Sequence, residues 1–235
     1  MSGHSHWATT QRAKGIKDAK RGKLFSKLAR QISIATKEGG GTDLDSNYKL
    51  RIIVDTARAA NMPKENIERA ISKGSGEGEN LTEVVYEGFG PGGVGLIIKA
   101  TTDNKNRTAQ EIKLILERNG GSFAGPGAVS FNFKHEGNLF VENPTDVDSV
   151  TLTLIDCGAT DVVETEGGLD VYTEPHDLFD VKKKAEAAGI VFSRAELIQR
   201  PITMVTLDDT QGEKLMSLLE LLEDQDDVDA VYMNA

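Results

Sequence analysis

The spacing of the apolar residues changes along the chain, and the change falls at the glycine-rich segment 75–80 (SGEGEN). Before this segment, apolar residues recur every three or four positions, as at Leu24, Leu28 and Ile32, which is the spacing of one helix face. After it, short apolar runs of strand character alternate with segments of helical spacing. Glycine-rich polar segments of this kind separate structural units. The sequence therefore predicts a helical N-terminal part, followed by a part in which strands and helices alternate.

Three helices are predicted in the first part. One covers residues 18–37 and is stopped by the glycines at 39–41. A second carries Leu50 on its apolar face, and a third begins at Pro63, a residue suited to the first helical position, and ends at Gly74. We therefore predict a three-helix bundle behind a basic N-terminal arm.

Beyond residue 80 the predicted elements form a middle group and two flanking groups. The middle group, residues 139–198, runs strand, helix, strand, strand, helix, strand, which is the ferredoxin-like order. Each flanking group runs strand, helix, strand, with strands expected at residues 94–101, 128–133, 202–207 and 228–232. We therefore predict an α+β fold in which the N-terminal three-helix bundle is followed by two ferredoxin-like α/β domains, one inserted in the other. The boundaries are residues 1–80 for the basic helical domain, 81–134 with 201–235 for the split domain, and 135–200 for the inserted domain.

The sign of the charge changes at the same segment. The whole chain carries a formal net charge of −10, yet residues 1–74 hold 15 Lys and Arg against 7 Asp and Glu, whereas residues 81–235 hold 12 against 28. A basic part joined to an acidic body indicates a nucleic-acid partner for the basic part, because phosphate binding needs several cations on one surface.

The first predicted helix collects its cations on one side. Four of them, at positions 20, 23, 27 and 30, fall within a stripe of about 80° at 100° per residue, beside the apolar face. A solvated lysine face is the alternative, but the stripe lacks the interleaved glutamates that would pair with such lysines. The nucleic-acid-binding residues that we predict from this stripe, the arm and a later turn are Trp7, Arg12, Lys14, Lys17, Lys20, Arg21, Lys23, Lys27, Arg30, Lys105 and Arg107.

Three segments of the sequence allow more than one interpretation. Trp7 either stacks on a base or holds the arm against the bundle. Lys105 and Arg107 lie in a helix-capping turn from which they could reach an anion. The second and third helices, joined at residues 61–63, suggest a helix-turn-helix, but the would-be recognition helix alternates its cations with Glu65 and Glu68, which is unfavourable in a groove lined by phosphates.

Signals for catalysis, metals and membranes are weak. The match to G-x-G-x-x-G at residues 88–93 precedes a strand rather than a helix, which favours a hairpin turn. His4 and His6 have no further histidines at metal-ligand spacing, and Cys157 is the only cysteine. No apolar run approaches the length of a membrane helix. We therefore expect no catalytic residues, no metal, no cofactor, no small-molecule substrate and a cytoplasmic protein, with an enzyme acting in an interdomain cleft as the alternative class.

Four segments of the sequence resemble the YebC-type family. They are residues 3–30, 61–74 (NMPKENIERAISKG), 86–95 (YEGFGPGGVG), and 102–108 (TDNKNRT) with the later NGG at 119–121. The resemblance implies a small helical N-terminal domain, two α/β domains around a cleft, and a non-enzymatic role in gene expression. Because the match begins at residue 3, we expect a bacterial cytoplasmic member.

The resemblance leaves two mechanisms open. The family is widely labelled as probable DNA-binding transcriptional regulators. Relatives that include a mitochondrial translational activator of cytochrome c oxidase imply instead a ribosome-associated factor that contacts ribosomal RNA and helps translation through proline-rich stretches. The partner is therefore expected to be DNA or ribosomal RNA, with the ribosome as a further candidate. The acidic body and the absence of a clear groove-reading helix favour structured RNA.

Overall fold

The computed structural model of the chain describes residues 18–76 and 81–235, with only the backbone for residues 18–20. Two compact units are present: residues 134–200 form one, and the other described residues form the second. Together the described residues contain seven α-helices and two four-stranded antiparallel sheets, an α+β architecture. Within these ranges no helix is both long and apolar enough to span a bilayer.

Three helices make up residues 18–76 of the larger unit: α1 (Asp18–Glu38), α2 (Tyr48–Ala59) and α3 (Lys64–Ser75). Their shared core includes Ile32, Leu50 and Ala57, all completely buried. The side chain of Asn47 caps α2 by accepting a hydrogen bond from the backbone N–H of Leu50. Apolar residues at helical spacing therefore account for this region.

The helices α1 and α3 approach each other closely at Gly74. A Cβ added at this glycine would overlap the backbone carbonyl oxygen of Ser33. The hydroxyl of Ser33 also donates a hydrogen bond of 2.9 Å to the carbonyl of Ala70. Glycine at position 74 is thus what allows the two backbones to meet.

The first sheet has the strand order β3–β1–β2–β8, from the strands β1 (Thr82–Phe89), β2 (Gly95–Thr102), β3 (Ser122–Ala124) and β8 (Val228–Met233). The first two strands pair antiparallel and are joined by the turn Pro91–Gly93, where Gly92 has a φ of 75° that favours glycine. Helices α4 (Lys105–Arg118) and α7 (Asp209–Asp224) contribute to the same core as this sheet.

The order of this sheet differs from the predicted ferredoxin-like arrangement. In that arrangement a helix follows the first strand, whereas β1 and β2 here are joined directly and form the central pair. The strands predicted at 128–133 and 202–207 are absent; the structure has a short 3-10 turn, Ser130–Asn132, and irregular chain at these places. The alternation at 128–133 misled the prediction, since Phe131 is 78% exposed.

A buried carboxylate explains why this segment forms a loop. Glu87 of β1 accepts hydrogen bonds from the backbone N–H groups of Gly127, Val129 and Ser130, at 2.7, 2.6 and 3.0 Å. Burial alone would raise the pKa of Glu87, but these donors lower it overall. The loop folds around this side chain, and its N–H groups are therefore not available to a neighbouring strand.

The unit of residues 134–200 is built on the second sheet, of order β5–β6–β4–β7. Along the chain its elements are β4 (Phe133–Glu142), α5 (Val147–Cys157), β5 (Asp161–Thr165), β6 (Gly168–Thr173), α6 (Leu178–Ala187) and β7 (Arg194–Pro201). Its most buried side chains include Leu139, Leu154 and Leu178, which come from β4, α5 and α6. The order is thus strand, helix, strand, strand, helix, strand.

Candidate nucleic-acid interface

The predicted contact residues fall into two sets. Trp7, Arg12, Lys14 and Lys17 lie outside the described residues, and the side chain of Lys20 is not described. The six others lie on α1 (Arg21, Lys23, Lys27 and Arg30) and in the first turn of α4 (Lys105 and Arg107).

Three cations of the α1 stripe contact the turn between α7 and β8. We call residues 223–229, which include five carboxylates, the acidic turn. The Nζ of Lys23 lies 3.0 Å from the carboxylate of Asp224 and 3.2 Å from that of Asp226. The Nζ of Lys27 donates to the carbonyl of Glu223 at 2.6 Å, and Arg30 donates to the carbonyl of Asp226. The stripe was predicted to meet phosphates, and in the structure these three residues meet protein groups of the acidic turn.

The reason for the difference is electrostatic and non-local. The apolar face of α1 packs into the helical core and leaves its cations on the outer side, where the acidic chain of the same unit supplies carboxylates. Burial lowers the pKa of Lys23, but its hydrogen bonds to Asp224 and Asp226 and their charges outweigh burial and raise it. About 200 positions separate the partners, so no local pattern reveals the pairing.

Asp227 is a buried carboxylate of the acidic turn that meets two of the predicted cations. Its side chain is 9% exposed and accepts hydrogen bonds from Arg107 at 3.0 Å and from the hydroxyl of Thr108 at 2.7 Å, while Arg30 lies 3.6 Å away. Burial raises its pKa, but the bonds from Thr108 and Arg107 and the charges of Arg107 and Arg30 lower it overall. Two predicted phosphate contacts, Arg30 and Arg107, therefore share one protein carboxylate.

The capping turn before α4 has the geometry expected from the sequence. Asn104 caps the helix by accepting a hydrogen bond of 3.1 Å from the backbone N–H of Arg107. The guanidinium of Arg107 also contacts Asp103 at 2.8 Å. The side chain of Lys105 is exposed. Arg107 is exposed as well, with 45% of its side chain accessible, but it also pairs with Asp227 of the acidic turn.

The structure contains a second basic surface that was not predicted from the sequence. Helices α1 and α3 border a groove of about 550 Å³, which we call the α1–α3 groove. Its lining contains three cations and no acidic residue, in a chain of net charge −10. The lining residues are Gly22, Phe25, Ser26, Ala29, Arg30, Ser33, Met62, Asn66, Arg69, Ala70, Lys73 and Leu81.

The alternating charges along α3 explain why the sequence did not predict this groove. Asn66, Arg69 and Lys73 are spaced three and four residues apart, so they share one side of the helix, and all three line the groove. Glu65 and Glu68 are not among its lining residues. A helical-wheel projection, rather than the linear order of charges, is the signal that could have found it.

The second sheet carries arginine–aromatic stacks that the sequence did not indicate. The guanidinium of Arg194 lies 5.0 Å from the ring centre of Phe140, and that of Arg200 lies 3.6 Å from the ring centre of Tyr172. Four-stranded sheets bind RNA bases on exposed aromatic rings. These two rings are buried and already stacked by cations, and burial raises the pKa of Tyr172 to about 12. This arrangement does not favour base stacking here.

No metal or nucleophile site is evident within the described residues. They contain no group of three or more His, Cys, Asp or Glu side chains arranged to hold a metal ion. The histidine pair His4 and His6 lies outside them. Cys157 is a free thiol at the end of α5, and the 88–93 glycines form the β1–β2 hairpin.

Comparison with known proteins gives consistent matches over nearly the whole chain. Residues 5–77 match the family model "TACO1/YebC protein N-terminal domain", and residues 81–235 match "TACO1/YebC second and third domain". The crystal structure of a conserved hypothetical protein, Aq1575 from Aquifex aeolicus, superimposes with a TM-score of 0.87 at 41% identity and covers 97% of this chain and 96% of its own.

Three curated relatives share the name "probable transcriptional regulatory protein". A "probable transcriptional regulatory protein" of Roseiflexus castenholzii is 46% identical over 100% of this chain and 94% of its own length. Proteins of the same name from Geobacter sulfurreducens and Geobacillus kaustophilus are each 44% identical, over 100% of this chain and 95% and 97% of theirs. On these matches, the chain belongs to the TACO1/YebC family.

Proposed function

We propose that this protein is a non-enzymatic, nucleic-acid-binding regulator of gene expression, and that its helical N-terminal region holds the nucleic acid. The observation that carries the proposal is the α1–α3 groove, whose lining has three cations and no acid although the chain is acidic as a whole. Phosphates are bound by such clusters of cations. The relatives are named probable transcriptional regulatory proteins, which supports the regulatory role.

The proposed contact residues fall into two groups, according to whether they contact the acidic turn in the structure. Arg21 is exposed, and we propose it as a phosphate contact together with Lys20 of the same helix, Lys105 and the arm cations Arg12, Lys14 and Lys17. Trp7 of the arm is proposed as a further nucleic-acid contact. Lys23, Lys27, Arg30 and Arg107 meet the acidic turn. These four would have to exchange a protein partner for a phosphate. Nucleic acid and the acidic turn therefore compete for them.

The domain arrangement is part of the same proposal. Residues 1–80 form the nucleic-acid-contacting domain, residues 81–134 and 201–235 form a split α/β domain, and residues 135–200 form a domain inserted into it with the ferredoxin-like order. The strand order β5–β6–β4–β7 supports the last of these assignments. We place the protein in the cytoplasm, where its nucleic-acid partners are.

A ribosome-associated translation factor is the second candidate. It is favoured by the chemistry of α3, whose Lys64 is paired with Glu68 at 3.4 Å and whose other cations, Arg69 and Lys73, line a groove. A helix that enters the major groove needs its cations and base-reading side chains on a protruding face. In this candidate the partner is ribosomal RNA, and the regulated step is translation.

Binding of the full-length protein to a promoter duplex, a random duplex and purified ribosomes, at one physiological salt concentration, tests the proposal. We expect binding that weakens steeply with salt, and less than about tenfold preference for promoter over random duplex, which corresponds to about 1.4 kcal/mol. Promoter preference above a thousandfold, without competition by ribosomes, would select the transcriptional mechanism over translation. Absence of binding to all three partners would contradict the function itself.

A further inference from the structure

We propose that the α1–α3 groove is a binding site for an unpaired RNA strand. This inference rests on the proposed nucleic-acid binding and goes further by naming the site and the form of the ligand. The site joins a row of cations, a floor of small and apolar side chains, and an amide within reach of a base edge. These are the three features by which proteins hold single-stranded nucleic acid.

The cations supply the attraction for phosphate. Arg69 and Lys73 lie one helical turn apart on α3, and both are exposed. Arg30 lines the groove from α1. A guanidinium binds phosphate oxygens through paired N–H donors, and an ammonium binds them as a point charge. No acidic side chain is among the lining residues, although Arg30 also pairs with Asp227 of the acidic turn at 3.6 Å.

The floor of the groove suits the flat face of a base. Phe25 and Met62 contribute an aromatic ring and a thioether, and Gly22, Ala29 and Ala70 leave space because their side chains are small. A base stacked on an aromatic residue gains about 1–3 kcal/mol, whatever its identity. Base faces are accessible only where a strand is unpaired, since a duplex keeps them inside its stack. The floor thus favours a single strand over a duplex.

One polar group of the groove can read a base edge, and a second can distinguish RNA from DNA. The half-buried amide of Asn66 offers both donors and an acceptor to a base edge. The hydroxyl of Ser26 donates to the carbonyl of Gly22 at 3.1 Å, so its oxygen remains able to accept a hydrogen bond. A ribose 2′-hydroxyl is a donor that deoxyribose lacks. We therefore take the ligand to be an unpaired RNA segment.

The first test compares two double variants of the full-length protein that remove the same charge. Arg69→Gln with Lys73→Gln changes the groove, whereas Arg58→Gln with Lys64→Gln changes cations paired with Asp55 and Glu68 outside it. Binding of a short labelled RNA strand is measured by fluorescence anisotropy across a salt series. We expect the groove variant to bind about tenfold or more weakly, with a salt slope shallower by about 1.4, because each phosphate contact on a single strand contributes about 0.7.

A second pair of variants isolates charge from shape. A Cβ added at Gly22 meets no atom within 4 Å, so Gly22→Glu and Gly22→Gln both fit, and only the first adds a negative charge to the groove. We expect the glutamate variant to bind the RNA strand at least about threefold more weakly than the glutamine variant. Thermal melting of all four variants shows whether each is folded.

The outcomes separate the site from the function. If the wild-type protein binds RNA and the groove variants bind as well as their controls, the groove assignment is overturned while the proposed function stands. Tighter binding of a duplex, or of a DNA strand of the same sequence, also overturns the assignment to unpaired RNA. If the wild-type protein binds neither strand nor the duplex, the proposed function falls with it.

Discussion

Lys23 on α1 and Asp224 at the end of α7 form an ion pair of 3.0 Å, although 201 positions separate them in the chain. Lys27 and Arg30 extend this contact along the acidic turn. The helical region and the first sheet are therefore linked by the very residues that the sequence predicts to bind phosphate. A cation that holds a carboxylate cannot hold a phosphate with full strength, which makes the acidic turn a competitor of the nucleic acid.

Neutralising the exposed acids of this turn should strengthen nucleic-acid binding. In Asp224→Asn with Asp226→Asn, Lys23 loses both carboxylate partners, and we expect the affinity for RNA to rise about threefold or more at low salt. The cost in unfolding free energy is about 1 kcal/mol or less, because both carboxylates are exposed. The matched control is Asp148→Asn with Asp156→Asn on α5, which changes the net charge equally. Equal affinity gains in the two variants would argue against competition.

Asp227 should matter far more for stability than Asp224. Asp227→Asn removes a buried charge that Arg107, Thr108 and Arg30 surround, and we expect it to lower the free energy of unfolding by about 2 kcal/mol or more. Urea titrations of the two single variants compare them directly. A loss no greater than that of Asp224→Asn would contradict the structural account.

Asp227 should also make the protein less stable at acid pH. Because the folded-state pKa of Asp227 is lowered, its contribution is present above the ordinary carboxyl pKa of about 3.9 and is lost as the pH falls through the folded-state value. The stability of the wild-type protein should therefore decline below about pH 4 more steeply than that of Asp227→Asn. Parallel curves for the two proteins would contradict this assignment.

Asp229 should make the free energy of unfolding depend on pH in the opposite direction to Asp227. Burial raises its pKa to about 6, although bonds from Thr101 and Gln31 and the charges of Lys27 and Arg30 oppose this. A raised folded-state pKa means that stability is complete below the ordinary value and decreases as the pH rises through 6. Asp229→Asn, which can still accept the bond that Thr101 donates at 2.7 Å, should be more stable than wild type by about 2 kcal/mol at neutral pH. The gap should close near pH 4, and a gap that is constant with pH would refute the shift.

Two glycines of the helical region should respond in opposite ways to alanine. Gly74→Ala places a methyl against the Ser33 carbonyl, and we expect a loss of about 2 kcal/mol as α1 and α3 are forced apart. Gly22→Ala meets nothing within 4 Å inside α1 and should add about 0.5–1 kcal/mol through helix propensity. Melting temperatures compare the two, and similar values would contradict the close packing at Gly74.

Local periodicity predicts those parts of the fold that depend on a single segment of the chain. The helix predicted over residues 18–37 is observed as Asp18–Glu38, and the helix predicted between the strands at 94–101 and 128–133 is observed as Lys105–Arg118. The predicted hairpin turn at 88–93 implied a strand before it, but gave no bounds for β1, because Glu87 is a charged residue within its buried part and its role depends on a loop 40 positions away. Local patterns do not show which distant groups satisfy a buried carboxylate.

The same distinction between local and distant residues applies to the candidate site. The basic character of α1 is visible in the sequence, but the carboxylates that meet Lys23 and Arg30 come from the other end of the chain. The groove cations Arg69 and Lys73 alternate with acids along α3, and only the helix geometry separates the two sets.

The most direct measurement is ultraviolet crosslinking of the full-length protein to RNA in cells, followed by mass spectrometry of the crosslinked peptides. Our account predicts RNA attached to peptides from residues 1–80, including those that contain Phe25 or Met62 of the α1–α3 groove. Crosslinks confined to residues 81–235, or no recovered nucleic acid at all, would contradict it.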